Sequence, residues 1–268
     1  MRFSFGTLDV AVEEAGSGEP VVMVHSSGMS SRQWRALSGL LAPTHRTLAL
    51  DLPGCGATTG FDVAAPFDHR GEARLVAALV RSLGRPAHLV GHSYGGFLAL
   101  LAARELRGLV RSIAAYEPVA FGVVFDAQDA PAIADLGRLG PDFFRDEGGG
   151  DDAWFHRFID WWNGDGAWSR LPDAQRAAFL AVGRKVFLEV RSLCGDRTPR
   201  AAYGALDVPA LILCGETTQL AEKRTTALLA DALPQGMLEI VPGVGHMGIL
   251  QRAEDVCGRI ARHVRQAT

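Results

Sequence analysis

Apolar positions along the chain fall into short continuous runs separated by longer stretches of helical spacing. The runs PVVMVH, HLVG and ALILC carry almost no polar interruption, as strands buried on both faces of a parallel sheet do. Strands are predicted at Leu8–Glu14, Pro20–His25, Arg46–Leu52, Pro86–Gly91, Val110–Tyr116, Ala210–Cys214 and Met237–Val241. Helices are predicted near Phe67–Leu83, Tyr94–Leu106, Gln219–Ala232 and Ile249–Arg265. In the last of these, Ile249, Ala253, Val256, Cys257, Ile260 and Val264 share one face. Strand–helix alternation of this kind predicts an α/β fold with a mostly parallel sheet.

One stretch breaks the alternation. Between Phe121 and Arg200 no strand pattern occurs, and Pro131, Pro141, Gly148, Gly149, Gly150, Gly164, Gly166 and Pro172 cut it into short helical pieces. Trp154, Trp161, Trp162 and Trp168 lie here, four of the chain's 5 tryptophans. The reading is a body of residues 1–120 and 201–268 with a helical insertion at 121–200. Within it, Trp154, Phe155, Phe158, Trp161 and Trp162 recur at helical spacing; such a stripe packs a core or lines an apolar pocket.

Composition narrows the function classes. The chain has 268 residues, 27 Lys+Arg against 30 Asp+Glu and a net charge of −3, which leaves no basic footprint for nucleic acid or anionic membranes. No apolar run approaches the length of a membrane span. The first residues, MRFSFGTLDVAVEEAG, alternate and carry early acids, unlike a signal peptide. Cys55, Cys194, Cys214 and Cys257 form no C-x-x-C pair and no zinc spacing. Reduced thiols and a cytoplasmic location are expected; no metal or organic cofactor is implied.

The chemistry enters at PAHLVGHSYGG, residues 86–96. An apolar strand runs into Gly91-His92-Ser93-Tyr94-Gly95 and then the helix FLALLAAREL, the strand–G-x-S-x-G–helix context of a nucleophile elbow. Ser93 must sit on a tight turn that lifts its hydroxyl above the strand end, and glycines are needed where side chains would strike neighbouring backbone. A serine hydroxyl needs a base. His246 follows the last strand and precedes the last helix, in VPGVGHMGIL, which puts it at the carboxyl edge of the sheet with the elbow. His25 and His92 neighbour the site, each with a role in fixing a loop by hydrogen bonds.

Elbow, late histidine and strand order, together with VVMVHSSG and DLPGCGAT, closely resemble the α/β-hydrolase superfamily over almost the whole chain, and within it the small cap-bearing serine hydrolases. The resemblance implies an eight-stranded, mostly parallel sheet flanked by helices, with a helical cap after the sixth strand. It also places an aspartate shortly after the seventh strand, in a G-x-x-D context. Here the segment reads Gly215-Glu216-Thr217-Thr218, so an uncharged Thr218 holds the acid's position. Some relatives supply the acid from the end of the sixth strand; that strand, VRSIAAYEP, ends at Glu117 and keeps the order Ser…acid…His. Glu117 is favoured, with Glu216, Glu222 and Asp207 open as alternatives. The Tyr94 amide is one oxyanion donor, and alignment with the family's His-Gly-x loop makes the Ser27 amide the other, with Ser26 in place of the usual glycine. His25, Ser26, Trp154, Trp161 and Trp162 are candidate pocket residues.

The implied activity is hydrolysis of a small, apolar or moderately polar carboxylic ester through an acyl-enzyme. Carbon–carbon bond hydrolysis of a diketone-like substrate, a ligand-binding or sensor role on a hydrolase scaffold, and a lyase acting on a cyanohydrin stay open. Serine at position 93 argues against haloalkane and epoxide chemistry, which uses an aspartate nucleophile in this superfamily.

Overall fold

A computed structural model describes residues 1–267. Eight strands form one sheet: β1 (Arg2–Phe5), β2 (Leu8–Ala15), β3 (Glu19–Val24), β4 (His45–Leu50), β5 (Ala87–His92), β6 (Val110–Tyr116), β7 (Ala210–Gly215) and β8 (Gly236–Val241). Their spatial order is β1-β2-β4-β3-β5-β6-β7-β8. The β1–β2 and β2–β4 pairs are antiparallel, and every pair from β4 through β8 is parallel. The fold expectation is met. β1 escaped the sequence reading: it is a four-residue edge strand with no buried residue. By contrast β5 and β7 are buried at every position, which is why they read as continuous apolar runs.

Helices α1 (Arg35–Leu41), α2 (His69–Ser82) and α3 (Tyr94–Glu105) connect the first parallel strands. Between β6 and β7 come α4 (Gly122–Asp126), α5 (Ala130–Gly137), α6 (Asp152–Asn163), α7 (Ala167–Arg170), α8 (Asp173–Ala181) and α9 (Gly183–Gly195). Helices α10 (Leu220–Ala232), α11 (Gly248–Gln251) and α12 (Ala253–Gln266) complete the chain. Leu37 and Leu41 of α1 meet Val256, Ile260 and Val264 of α12 in a core on one sheet face. Apolar residues of α2, α3 and α10 fill the other face, and that core continues into the insertion through Trp154, Phe155 and Phe187. The helix predicted over Ile249–Arg265 breaks at Arg252, between α11 and α12.

Side-chain caps set several helix starts. Asp68 accepts from the Arg70 amide at 2.9 Å, Asp129 from Ala132 at 3.1 Å and Asp151 from Trp154 at 2.8 Å. Asp135, on α5, accepts from the Ala221 amide at 2.9 Å and so ties the start of the insertion to the first turn of α10. In α6 the aromatic stripe divides. Trp154 stacks on Phe143 and Phe158 at 4.8 and 4.9 Å, and Phe155 stacks on Trp168 at 5.1 Å, all within the insertion.

The strand order places a topological switch between β3 and β5: from β3 the chain crosses to β4 on one side, then returns to β5 on the other. The loop after β3 and the elbow after β5 therefore face each other across the carboxyl edge. Their approach leaves no room for extra atoms. A Cβ on Gly95 would strike the Val24 and His25 carbonyl oxygens, and one on Gly91 would strike Gly95. Both obstacles are backbone, so no side-chain rotation relieves them. Gly95→Ala is expected to destabilise the fold by about 3 kcal/mol, lowering Tm by about 10 °C, as read by thermal denaturation.

Candidate active site

Ser93 sits between β5 and α3 with φ 53° and ψ −123°, a left-handed conformation that costs a non-glycine residue on the order of 1–3 kcal/mol. Its amide donates to the Tyr116 carbonyl at 2.9 Å, which pins the elbow to the end of β6. From this turn Ser93 Oγ meets His246 Nε2 at 2.9 Å. On the other side of the ring, His246 Nδ1 meets Glu117 Oε2 at 2.7 Å. Three residues separated by up to 153 positions thus form one hydrogen-bonded line. Ser93 is 8% exposed, His246 5% and Glu117 0%, so the line is shielded from water while its serine end remains reachable.

Glu117 also has a positive φ, 45°. Its amide bonds to the Leu213 carbonyl at 2.9 Å, which turns the chain so that its side chain enters between β6 and β7. There the carboxylate accepts from the Gly215 amide at 2.7 Å and from the Thr218 hydroxyl at 2.9 Å. The residue at the expected aspartate position therefore donates to the acid instead of supplying it. None of the alternative acids meets His246. Glu216 is exposed and accepts from the Gly243 amide, and Asp207 is exposed and accepts from Gln235. Glu222 is fully buried with both oxygens unpartnered. Burial, reinforced by the nearby Glu117 charge, pushes its carboxyl well above the usual range and keeps it neutral.

His92 Nε2 lies 3.0 Å from the His246 carbonyl oxygen and fixes the histidine loop. Burial holds the His92 ring well below its ordinary value, so it is a neutral donor there. Tyr116 donates its hydroxyl to the Gly245 carbonyl at 2.6 Å and braces the same loop. The Trp162 ring lies on the His246 ring at a centroid distance of 3.6 Å and an interplanar angle of 15°. It covers one face of the imidazole.

Opposite the elbow, the loop after β3 turns through Ser26 and Met29, whose amide donates to the Ser26 carbonyl at 3.1 Å, with Gly28 at φ 72°. Gln33 accepts from both the Ser26 amide and hydroxyl, at 3.2 and 3.1 Å. Asp51 holds the neighbouring turn by accepting from the Ser31 and Ala57 amides, both at 2.7 Å. Among the described residues, no acceptor faces the amides of Ser27 or Tyr94. Ser27 and Ser93 line a common space, and the Tyr94 amide opens α3, where the helix field favours negative charge.

Ser93 borders two spaces. A narrow, dry lobe of about 20 Å³ is walled by Val119, Leu136, Leu139, Trp161, Val190 and Leu193. A broad cleft of about 650 Å³ lies on the other side, lined by Ser26, Trp162 and His246 with Asn163, Arg170 and Gln175 towards its polar rim. Ser26, Trp161 and Trp162 thus border the site as expected. Two expected pocket residues do not. His25 is fully buried: its Nε2 accepts from the Leu52 amide at 3.0 Å and its Nδ1 donates to the Ser26 carbonyl at 2.8 Å, welding the ends of β3 and β4. Trp154 points into the aromatic core and donates its Nε1–H to the Phe143 carbonyl at 3.0 Å. Arg170, Leu139 and Val190 were missed, because nothing in local spacing marks which insertion residues turn towards an elbow far away in sequence. Among the described residues no group of three or more His, Cys, Asp or Glu side chains could hold a metal ion, and no helix is long and apolar enough to cross a membrane.

The chain is 30% identical over 238 residues to 2-succinyl-6-hydroxy-2,4-cyclohexadiene-1-carboxylate synthase of Klebsiella pneumoniae, covering 84% of this chain and 88% of that protein. It is 27% identical over 265 residues to a pimeloyl-[acyl-carrier protein] methyl ester esterase of Chromobacterium violaceum, covering 96% and 98%. A malate-bound thermophilic esterase from Thermogutta terrifontis superposes with a TM-score of 0.75 at 20% identity, over 100% of this chain and 99% of that one, and shares its fold. Residues 21–259 match the sequence pattern of the Alpha/beta hydrolase family, and the chain belongs to that family.

Proposed function

We propose that this chain is a serine carboxylesterase that cleaves small esters through an acyl-enzyme. The observation that carries the reading is the line from Ser93 Oγ to His246 Nε2, 2.9 Å, and from His246 Nδ1 to Glu117 Oε2, 2.7 Å. His246 takes the Ser93 proton as Oγ forms a bond to the substrate carbonyl carbon. The carbonyl oxygen becomes an oxyanion held by the Ser27 and Tyr94 amides. Collapse breaks the ester C–O bond, and the leaving alkoxide takes the proton from His246. Water, deprotonated by His246, then attacks the acyl carbon; Ser93 leaves and recovers its proton. Glu117 keeps His246 in the tautomer with Nδ1–H and offsets its charge. The helices of residues 121–200 act as a cap, with Trp162 closing over His246. The relative from Chromobacterium violaceum, named as a methyl ester esterase, supports ester chemistry. Four unpaired cysteines suit a reducing compartment, the cytoplasm.

The two spaces at Ser93 suggest where each half of an ester sits. A lobe of about 20 Å³ holds little more than one water-sized group, which suits a short acyl chain. The broad cleft with its polar rim suits the alcohol half. The kcat/KM for p-nitrophenyl acetate is expected to exceed that for the octanoate by about 10-fold or more, and Val190→Ala to move the optimum towards longer acyl groups. Preference for the octanoate by the unmodified protein would put the acyl chain in the broad cleft instead. Turnover of diketones without turnover of esters would move the assignment to carbon–carbon bond hydrolysis.

A further inference from the structure

Beneath the two proposed oxyanion donors lies a charged cluster that the mechanism above does not use. Lys185 of α9 is 3% exposed, Glu189 of the same helix 0% and Glu72 of α2 7%. Lys185 Nζ donates to Glu72 Oε1 at 2.7 Å and to Glu189 Oε1. Its ammonium also faces the rings of Phe61 and Phe67, at 5.2 and 4.9 Å from their centroids. The second Glu72 oxygen accepts the Tyr94 hydroxyl at 2.7 Å. The second Glu189 oxygen and the Ser27 hydroxyl are both buried without a formed hydrogen bond. The residue that follows the nucleophile therefore reaches this cluster through its side chain.

From this geometry we propose that Lys185, Glu72 and Glu189 are positioning residues, which lock Tyr94 and so its amide to helix α9, so that this oxyanion donor is set by the seating of the insertion on the body. The proposal rests on the esterase reading. Stability is a poor explanation for the cluster: burying an ion costs several kcal/mol, and apolar replacements of buried ion pairs are often neutral or stabilising. Fixed geometry is a better one, because oxyanion donors act only when held to within about half an ångström. The charge balance agrees. Burial would lower the Lys185 ammonium, but Glu189 and Glu72 outweigh it, so the lysine stays charged. Burial, opposed by Lys185 and reinforced by Glu72, lifts the Glu189 carboxyl to about 7.

Tyr94→Phe cuts the tie from the elbow side, and Glu189→Gln weakens the hold on Lys185 from the α9 side. Each is tested on p-nitrophenyl acetate for kcat and KM, and against a trifluoromethyl ketone, whose adduct with a serine carries an oxyanion. Each variant is expected to lose about 10- to 100-fold in kcat and a matching factor in ketone affinity, with KM within about two-fold. Lys185→Met, if it folds, should combine both losses. Wild-type kcat and ketone affinity in Tyr94→Phe and Glu189→Gln, with only Tm lowered, would make the cluster structural and overturn the proposal. If the unmodified protein neither turns over esters nor binds the ketone, the esterase reading fails first and takes this one with it.

Discussion

Glu117→Gln is expected to lower kcat by about 10⁴-fold while the protein stays folded. Glu117 Oε1 accepts from the Gly215 amide, and Oε2 from both Thr218 Oγ1 and His246 Nδ1. A glutamine keeps one acceptor oxygen. If that oxygen faces Gly215, its NH₂ group faces His246 Nδ1 and forces that nitrogen to accept. The imidazole then carries its proton on Nε2 and cannot take one from Ser93. If the amide flips, its NH₂ meets the Gly215 N–H, a donor against a donor in a buried site. The first orientation removes the base and the second, which keeps it, carries the cost of a buried donor–donor clash, so the glutamine settles in the first while the volume is unchanged. Glu216→Gln, on an exposed side chain turned towards Gly243, is expected to leave kcat within about two-fold, as surface changes usually do. Steady-state kinetics of the two variants separates them. Full activity in Glu117→Gln would remove Glu117 from the mechanism.

Ser93→Ala carries the other large effect. Removing the nucleophile is expected to cost about 10⁶-fold in kcat and leave the background of a scaffold that binds without attacking. Stability should move differently. Ser93 holds φ 53°, and alanine there bears the same strain as serine. Glycine does not. Ser93→Gly should be as inactive as Ser93→Ala but more stable than the unmodified protein by about 1 kcal/mol, a Tm rise of about 2–4 °C. A strained residue that gains stability when lost, and is indispensable when present, is the expected signature of a site whose geometry was selected for chemistry. Differential scanning calorimetry of both variants reads it; a lower Tm in Ser93→Gly would mean that the elbow is not strained.

The layout of the sheet was legible in the sequence because β3, β5 and β7 are buried on both faces and admit almost no polar residue. β1 was not, because an edge strand of alternately exposed residues carries no burial signal. Ser93 was legible because its chemistry needs glycines at fixed neighbours, a local demand. His246 could be placed by its position after β8 at the carboxyl edge. Glu117 was reached by noticing what Thr218 lacks. That Thr218 turns its hydroxyl to Glu117 had no sequence signal, since the two are 101 positions apart. The aromatic stripe of α6 shows the limit most plainly. Trp154, Trp161 and Trp162 look alike in spacing, yet Trp154 is core, Trp161 walls the dry lobe and Trp162 covers His246. Which face meets the body depends on how the insertion docks, and no period along the chain records that. The same holds for Lys185, Glu72 and Glu189, which meet only when α9 is seated against α2.

The proposed chemistry requires Ser93 to be an activated nucleophile. Treatment with a fluorophosphonate, followed by intact-mass analysis and peptide mapping, tests this most directly. The predicted result is a single phosphonyl adduct on Ser93, absent in Ser93→Ala and formed far more slowly in Glu117→Gln. An unmodified protein that takes up no adduct, or takes it up on another residue, would contradict the account.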